Sequence, residues 1–211
     1  MGCCARVVSH LALLACISVV PIAAACAQGG HDTRLQRLDS ATRVAVSALV
    51  DSARAARLPT EPLVHKALEG TQKNANDEQI VSAVRSLSVR LRQAREALGS
   101  STSPDEIAAG ANALHAGLEA RHLSELRAAA QRAGRRRVTL PLTVATDLVA
   151  HHVPVASATE IVLSLTVSGA RDSDLTLFQR NVRSDVDRGA DAETAAQTRA
   201  RGVIAHSGRT S

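Results

Sequence analysis

The sequence predicts an all-α protein of roughly eight or nine short helices packed as irregular helix-turn-helix units behind a cleaved signal peptide. Three observations lead there. Apolar residues recur at helical spacing along most of the chain, helix-starting and helix-ending residues punctuate that pattern, and the one β-branched run has no partner strand. With 45% hydrophobic and 21% charged residues, the composition is that of a folded domain rather than a disordered chain.

The N-terminal segment reads as an export signal. Arg6 supplies a positive start, and an apolar stretch runs from Leu11 to Ala25, with Pro21 near its end. It is too short for a membrane span of about 20 residues, and no second candidate follows. Ala25-Cys26-Ala27 fits the small-x-small cleavage rule, so the mature chain is expected to begin at Gln28, in the periplasm or outside the cell. The rival is lipid attachment at Cys26, which would anchor the protein to the envelope; Ala23 stands where a large aliphatic residue usually precedes such a site. A myristoylation start fails, because Arg6 occupies the Ser/Thr position. All four cysteines (Cys3, Cys4, Cys16 and Cys26) precede Gln28, so the mature chain would be stabilised by burial and helix packing without disulfides.

The helices follow in order. Leu35, Leu38, Thr42, Ala45, Leu49, Ala53 and Ala56 form a stripe over about Asp32 to Arg57. Pro59 and Pro62 break it, and Pro62 suits the first turn of a short helix ending near Gly70. Ile80, Val84, Leu87, Leu91, Ala94 and Leu98 mark the clearest helix, opened by Asn76 or Asp77 and closed by Gly99, with Arg85, Arg92 and Glu96 facing away. Ser103-Pro104-Asp105-Glu106 is a capping box with proline just inside, and Ser157 to Glu160 repeats its spacing. Thr139 to Pro141 opens a helix running to about His151, and Val162 to Val167, though β-branched, reads as buried helix for want of a partner strand.

Turns recur at Gly70, Gly117, His152-Val153-Pro154, Gly169 and Gly189. Their spacing looks irregular, which predicts short helices that need neighbours to bury an apolar face rather than a regular solenoid. The expected organisation is a signal peptide (1–27), N-terminal (28–134) and C-terminal (138–204) helical regions divided at Arg132–Arg137 and packed as one domain, and a frayed tail (205–211).

The chemistry-bearing patterns are weak. No catalytic serine elbow, S-x-x-K, H-E-x-x-H, phosphate loop or zinc-type Cys/His pairing occurs, and no cofactor is expected. Glu61, His65 and Glu69 form one row on the short helix after the prolines, a divalent-metal or proton-shuttle candidate whose ligands splay over two turns. Asp147 and His151, with His152 adjacent, would need a third metal ligand; a histidine bonding the last carbonyls of its helix accounts for them more simply. His115, Glu119 and His122 would share a face only if Gly117 did not end their helix. Asp185, Asp187, Asp191 and Glu193 miss a calcium loop, since Ala190 stands at the invariant glycine and Ala196 at the bidentate glutamate. Asp191 instead suits a helix start.

Net charge is +5, and Arg132, Arg135, Arg136 and Arg137 form the dense basic run, a candidate contact for anionic lipid. Phe178 is the single aromatic residue, which removes base-stacking platforms and argues against sequence-specific nucleic-acid binding; its setting suits a core position. These features favour a non-catalytic scaffold or interaction protein of the periplasm or cell envelope. The alternatives are a small metal-dependent or hydrolytic envelope enzyme and an anionic-lipid binder using the arginine run. The protein partner is not named by the sequence.

Overall fold

The computed structural model describes residues 32–99 and 102–207. Among these residues there are nine α-helices and no strand: α1 (Ser40–Ala55), α2 (Glu61–Gln72), α3 (Asp77–Leu98), α4 (Pro104–His115), α5 (Ala120–Arg132), α6 (Thr139–Ala150), α7 (Val155–Val167), α8 (Asp172–Asp187) and α9 (Ala192–Ser207). None is long and apolar enough to cross a membrane. Ala25, Cys26, Ala27 and Gln28 lie outside the described residues.

Caps set most of the boundaries. Asn76 and Gln79 exchange side-chain and backbone hydrogen bonds at the start of α3, and Ser103 and Glu106 do the same at α4. The stripe read as one helix from Asp32 to Arg57 is interrupted. Thr33–Arg37 is a 3-10 turn, and Asp39 accepts the N–H groups of Ala41 at 2.8 Å and Thr42 at 3.2 Å, so that α1 begins afresh at Ser40. Ser157 is not a cap: α7 has already begun at Val155 after Pro154, and the Ser157 hydroxyl donates to Glu193 of α9 at 2.5 Å. The C-terminal helix continues past Ile204 to Ser207, three residues into the segment expected to fray.

The turns are more uniform than their sequences. Left-handed residues stand at Arg57, Asn74, Gly117, Gly134, His152, Gly169 and Gly189. After each of them the next residue donates its N–H to the carbonyl five positions back, as in Leu118 to Ala113 at 3.0 Å and Val153 to Leu148 at 3.0 Å. From Gly117 through Gly134, His152 and Gly169 to Gly189 these positions fall at near-equal intervals, correcting the irregular spacing expected. Two such intervals match the length of a helical-hairpin repeat, about 34–47 residues. Gly70 is no turn. It sits inside α2, where an added Cβ would lie 2.7 Å from Cγ1 of Ile80, so its role is close approach to α3.

Packing follows from that regularity. The odd helices stack in one row, α1 on α3, α3 on α5, α5 on α7 and α7 on α9. The even helices α4, α6 and α8 stack in a second row beside it, and α2 lies against α1 and α3. Every substantial helix contact joins neighbours or next-but-one neighbours, the quasi-one-dimensional arrangement of helical-hairpin stacks. Both α4 on α6 and α5 on α7 bridge the Arg132–Arg137 turn. The core between the rows is aliphatic, with Leu63, Leu91, Leu123, Leu126, Leu142 and Leu165 fully buried. Gly110 lets α4 approach its neighbours, since a Cβ there would meet Ala94 and Leu98 at 3.0 Å and Leu123 at 3.1 Å.

The stripe on α3 departs from expectation at one position. Ile80, Val84, Leu91, Ala94 and Leu98 are buried, but Ser88 takes the inward place expected for Leu87, which is only half-buried.

Candidate functional site

Two concave surfaces stand out, one apolar and one polar. The apolar groove runs between α8 and α9 and encloses about 520 Å³. Phe178 forms its floor, 1% exposed, while its neighbour Leu177 opens onto the groove and is 51% exposed. Thus Phe178 serves the core, as its sequence setting suggests, and also closes the base of a surface feature. On the α9 side Ala195, Gly202 and Val203 leave room for a close approach. The stacking rule explains the opening: α4 is covered by α6 and α6 by α8, but no described helix follows to cover α8.

Charge rims this groove. Asp174, Asp185 and Asp191 line it, against one arginine, Arg199, and one histidine, His206. Arg199 clamps Asp185 through Nε at 2.6 Å and Nη2 at 2.9 Å, and Arg188 adds a third bond at 2.5 Å. These bonds, Arg199's first, hold the Asp185 carboxyl down at about 2 despite some desolvation. Asp191 caps α9 by accepting the N–H of Thr194 at 2.8 Å, and its bonds from Thr194 keep it below the ordinary aspartate value. Of the calcium-loop candidates, Asp185 is therefore held in a clamp, Asp191 serves as a cap, and Glu193 accepts the Ser157 hydroxyl.

The polar cleft lies among α2, α3 and α4 and encloses about 280 Å³. It gathers His65, Lys66, Glu69, Arg90, Asn112 and His115 over a floor that includes Leu87 and Leu91. Of the row Glu61, His65 and Glu69, only the latter two reach it. Glu61 points to the 3-10 turn, where Arg34 grips it at 2.7 and 2.8 Å, and His65 Nε2 lies 3.0 Å away. Lys73 at 2.5 Å and Lys66 at 3.0 Å hold Glu69, lowering its carboxyl to about 2. All three are substantially exposed, and each carboxylate already has cationic partners.

The other candidates are equally occupied. Asp147 takes Arg183 of α8 at 2.6 Å, while His151 Nδ1 sits 2.8 Å from the Asp147 backbone carbonyl and 3.7 Å from its carboxylate. His151 therefore meets the end of its own helix, and His152 supplies the left-handed turn residue at φ 68°. Among the described residues no group of three or more His, Cys, Asp or Glu is placed to hold a metal ion. Gly117 does separate His115 from Glu119 and His122; His122 is buried and accepts the Glu119 N–H at 3.1 Å through Nδ1.

In the arginine run, Arg135 is half-buried and bonds Asp172 and the Ala170 carbonyl, fastening the start of α8 to the α5–α6 turn. Arg132 reaches the Ala128 carbonyl at 3.3 Å, leaving Arg136 and Arg137 as exposed cations. No protein family, curated protein or solved structure matches the chain.

Proposed function

We propose that the protein is an exported, non-catalytic scaffold of the periplasm or cell envelope that holds a protein partner at the open end of its helical stack. The carrying observation is the groove between α8 and α9, where the packing rule leaves Leu177 exposed beside the buried Phe178. The partner that fits is an amphipathic helix, apolar on the face that covers Leu177 and basic at its edges. Its apolar stripe takes the place of the next helix in the even row, and its cations meet Asp174 and Asp191 at the rim. The polar residues elsewhere tie helices together, which is the work of a scaffold: Arg183 to Asp147 joins α8 to α6, and Arg34 to Glu61 joins the 3-10 turn to α2. The export half of the proposal rests on the apolar stretch and the Ala25-Cys26-Ala27 motif.

The test is a titration of the protein with a synthetic amphipathic helix that carries a leucine face and lysine edges. The expected result is saturable binding that weakens at least about tenfold in Leu177→Asp, a loss of about 1.4 kcal/mol. A peptide with glutamate edges should bind more weakly than the lysine version, and added salt should narrow that difference. Equal binding by wild type and Leu177→Asp, with equal melting temperatures, would overturn the proposal. Intact-mass measurement of the native protein should find Gln28 at its N-terminus; an uncleaved Met1 in the cytoplasm would remove the export half.

A further inference from the structure

The polar cleft among α2, α3 and α4 contains more hydrogen-bond donors than the chain satisfies. Arg90, on α3, is half-buried, and its Nε is shielded from solvent without an acceptor. None of its other guanidinium nitrogens meets an acceptor among the described residues. Arg127 also has an unpartnered Nε, but its Nη1 is paired with Glu106 at 2.8 Å. Arg90 has no such compensation. A guanidinium Nε shielded from water and left unpaired is unfavourable, so its place beside a cavity suits an acceptor from outside the chain.

The surroundings say which acceptor. Asn112 and His115 lie one turn apart on α4, exposed at the mouth of the same cleft, and make no side-chain hydrogen bond among the described residues, so both are available to a ligand. Together with Arg90 they offer a planar cation, an amide and an imidazole, all able to donate. The one carboxylate lining the cleft, Glu69, is already bound by Lys66 and Lys73 and so does not neutralise Arg90. Leu87, half-buried and packed against the edge of the core, adds an apolar side to this space.

We propose that the cleft is a binding site for a small oxyanion, a carboxylate or phosphate group, carried on a short apolar body. Arg90 donates to its oxygens as a fork, Asn112 and His115 donate from the α4 side, and Leu87 meets the apolar body. The cavity of about 280 Å³ admits one small molecule rather than a folded segment. This inference is independent of the α8–α9 groove.

The experiment is calorimetric titration at low salt with three probes: inorganic phosphate, octanoate, and vesicles containing anionic phospholipid. Proteins are the wild type, Arg90→Gln, Asn112→Ala and Arg92→Ala, each checked for an unchanged melting temperature without ligand. Saturable one-to-one binding of octanoate or phosphate is expected, with octanoate tighter than phosphate. Arg90→Gln should weaken it at least tenfold and Asn112→Ala severalfold, while Arg92→Ala, on the exposed face of α3, binds as the wild type does. Saturation by vesicles alone would assign the oxyanion to a lipid surface and overturn the small-molecule site. So would absence of binding by the wild type, or equal binding by Arg90→Gln. Should Arg90→Gln fold poorly, Asn112→Ala together with His115→Ala decides the question from the α4 side of the cleft, where loss of binding is expected and wild-type binding would overturn the site.

Discussion

Glu106→Ala is expected to destabilise the protein by about 3–5 kcal/mol, although Glu106 belongs to no candidate site. The residue is 3% exposed and its carboxylate serves three partners. One oxygen accepts the Ser103 N–H at 3.0 Å; the other takes Arg127 at 2.8 Å and the buried Val138 N–H at 2.9 Å. It therefore joins the start of α4, the face of α5 and the entry to α6. Alanine would leave a half-buried guanidinium and a buried backbone N–H without an acceptor, which is why the expected cost exceeds that of an ordinary surface ion pair. Glu106→Gln keeps one acceptor and should cost less. Burial by itself would raise this carboxyl, but the N–H groups of Ser103 and Val138 and the charge of Arg127 outweigh it, and the group ends below its ordinary value of 4.5. A depressed carboxyl contributes stability that is fully present above the unfolded value and is lost as pH falls through the folded one. Urea unfolding at neutral pH and in the acid range should show the gap between wild type and Glu106→Gln narrowing on acidification.

The second large effect contrasts two leucines on α3. Leu91 is fully buried, so Leu91→Ala should cost about 2–5 kcal/mol through lost transfer energy and a residual cavity. Leu87 is half-buried over the polar cleft, so Leu87→Ala removes less area and opens onto existing space, at a cost of about 1 kcal/mol. Arg92→Ala on the exposed face should cost well under 1 kcal/mol. Chemical denaturation of the three variants checks the order; equal losses from Leu87 and Leu91 would contradict the observed register of α3.

Both contrasts mark how far the sequence can be followed. Helix existence is legible wherever caps and stripe agree: Asn76 with Gln79, Ser103 with Glu106, and the Ile80 to Leu98 stripe. Register within a stripe is less so, because which of Leu87 and Ser88 turns inward depends on where α2, α4 and α5 lie against α3. The regularity of the turns is hidden for a different reason. Arg57 and Asn74 adopt the left-handed conformation without being glycine, and Gly134 is obscured by the arginine run around it, while Gly70, which looks like a turn, is a helix-contact residue. With those turns missed and one misplaced, the period is lost.

The candidate sites divide along the same line. Local rows such as Glu61, His65 and Glu69 are visible in the sequence, but the partners that occupy them are not: Arg34 belongs to the 3-10 turn. Glu106 is visible only as a cap, since Arg127 and Val138 come to it through packing of α4 against α5 and α6. The groove at Leu177 and the cleft at Arg90 leave no local signal. Each exists because of what the neighbouring helices cover and what they leave open.

The most direct test of the scaffold function is a photo-crosslinking residue placed at position 177 of the full-length chain, activated in the native cell envelope. A second variant carries it at position 92, on the exposed face of α3, as the control. Position 177 should yield one dominant protein adduct, absent from position 92, whose linked peptide maps to an amphipathic helix with basic edges. Identical adducts from the two positions, or a linked segment that is acidic or non-helical, would contradict the claim that the open end of the stack holds a partner.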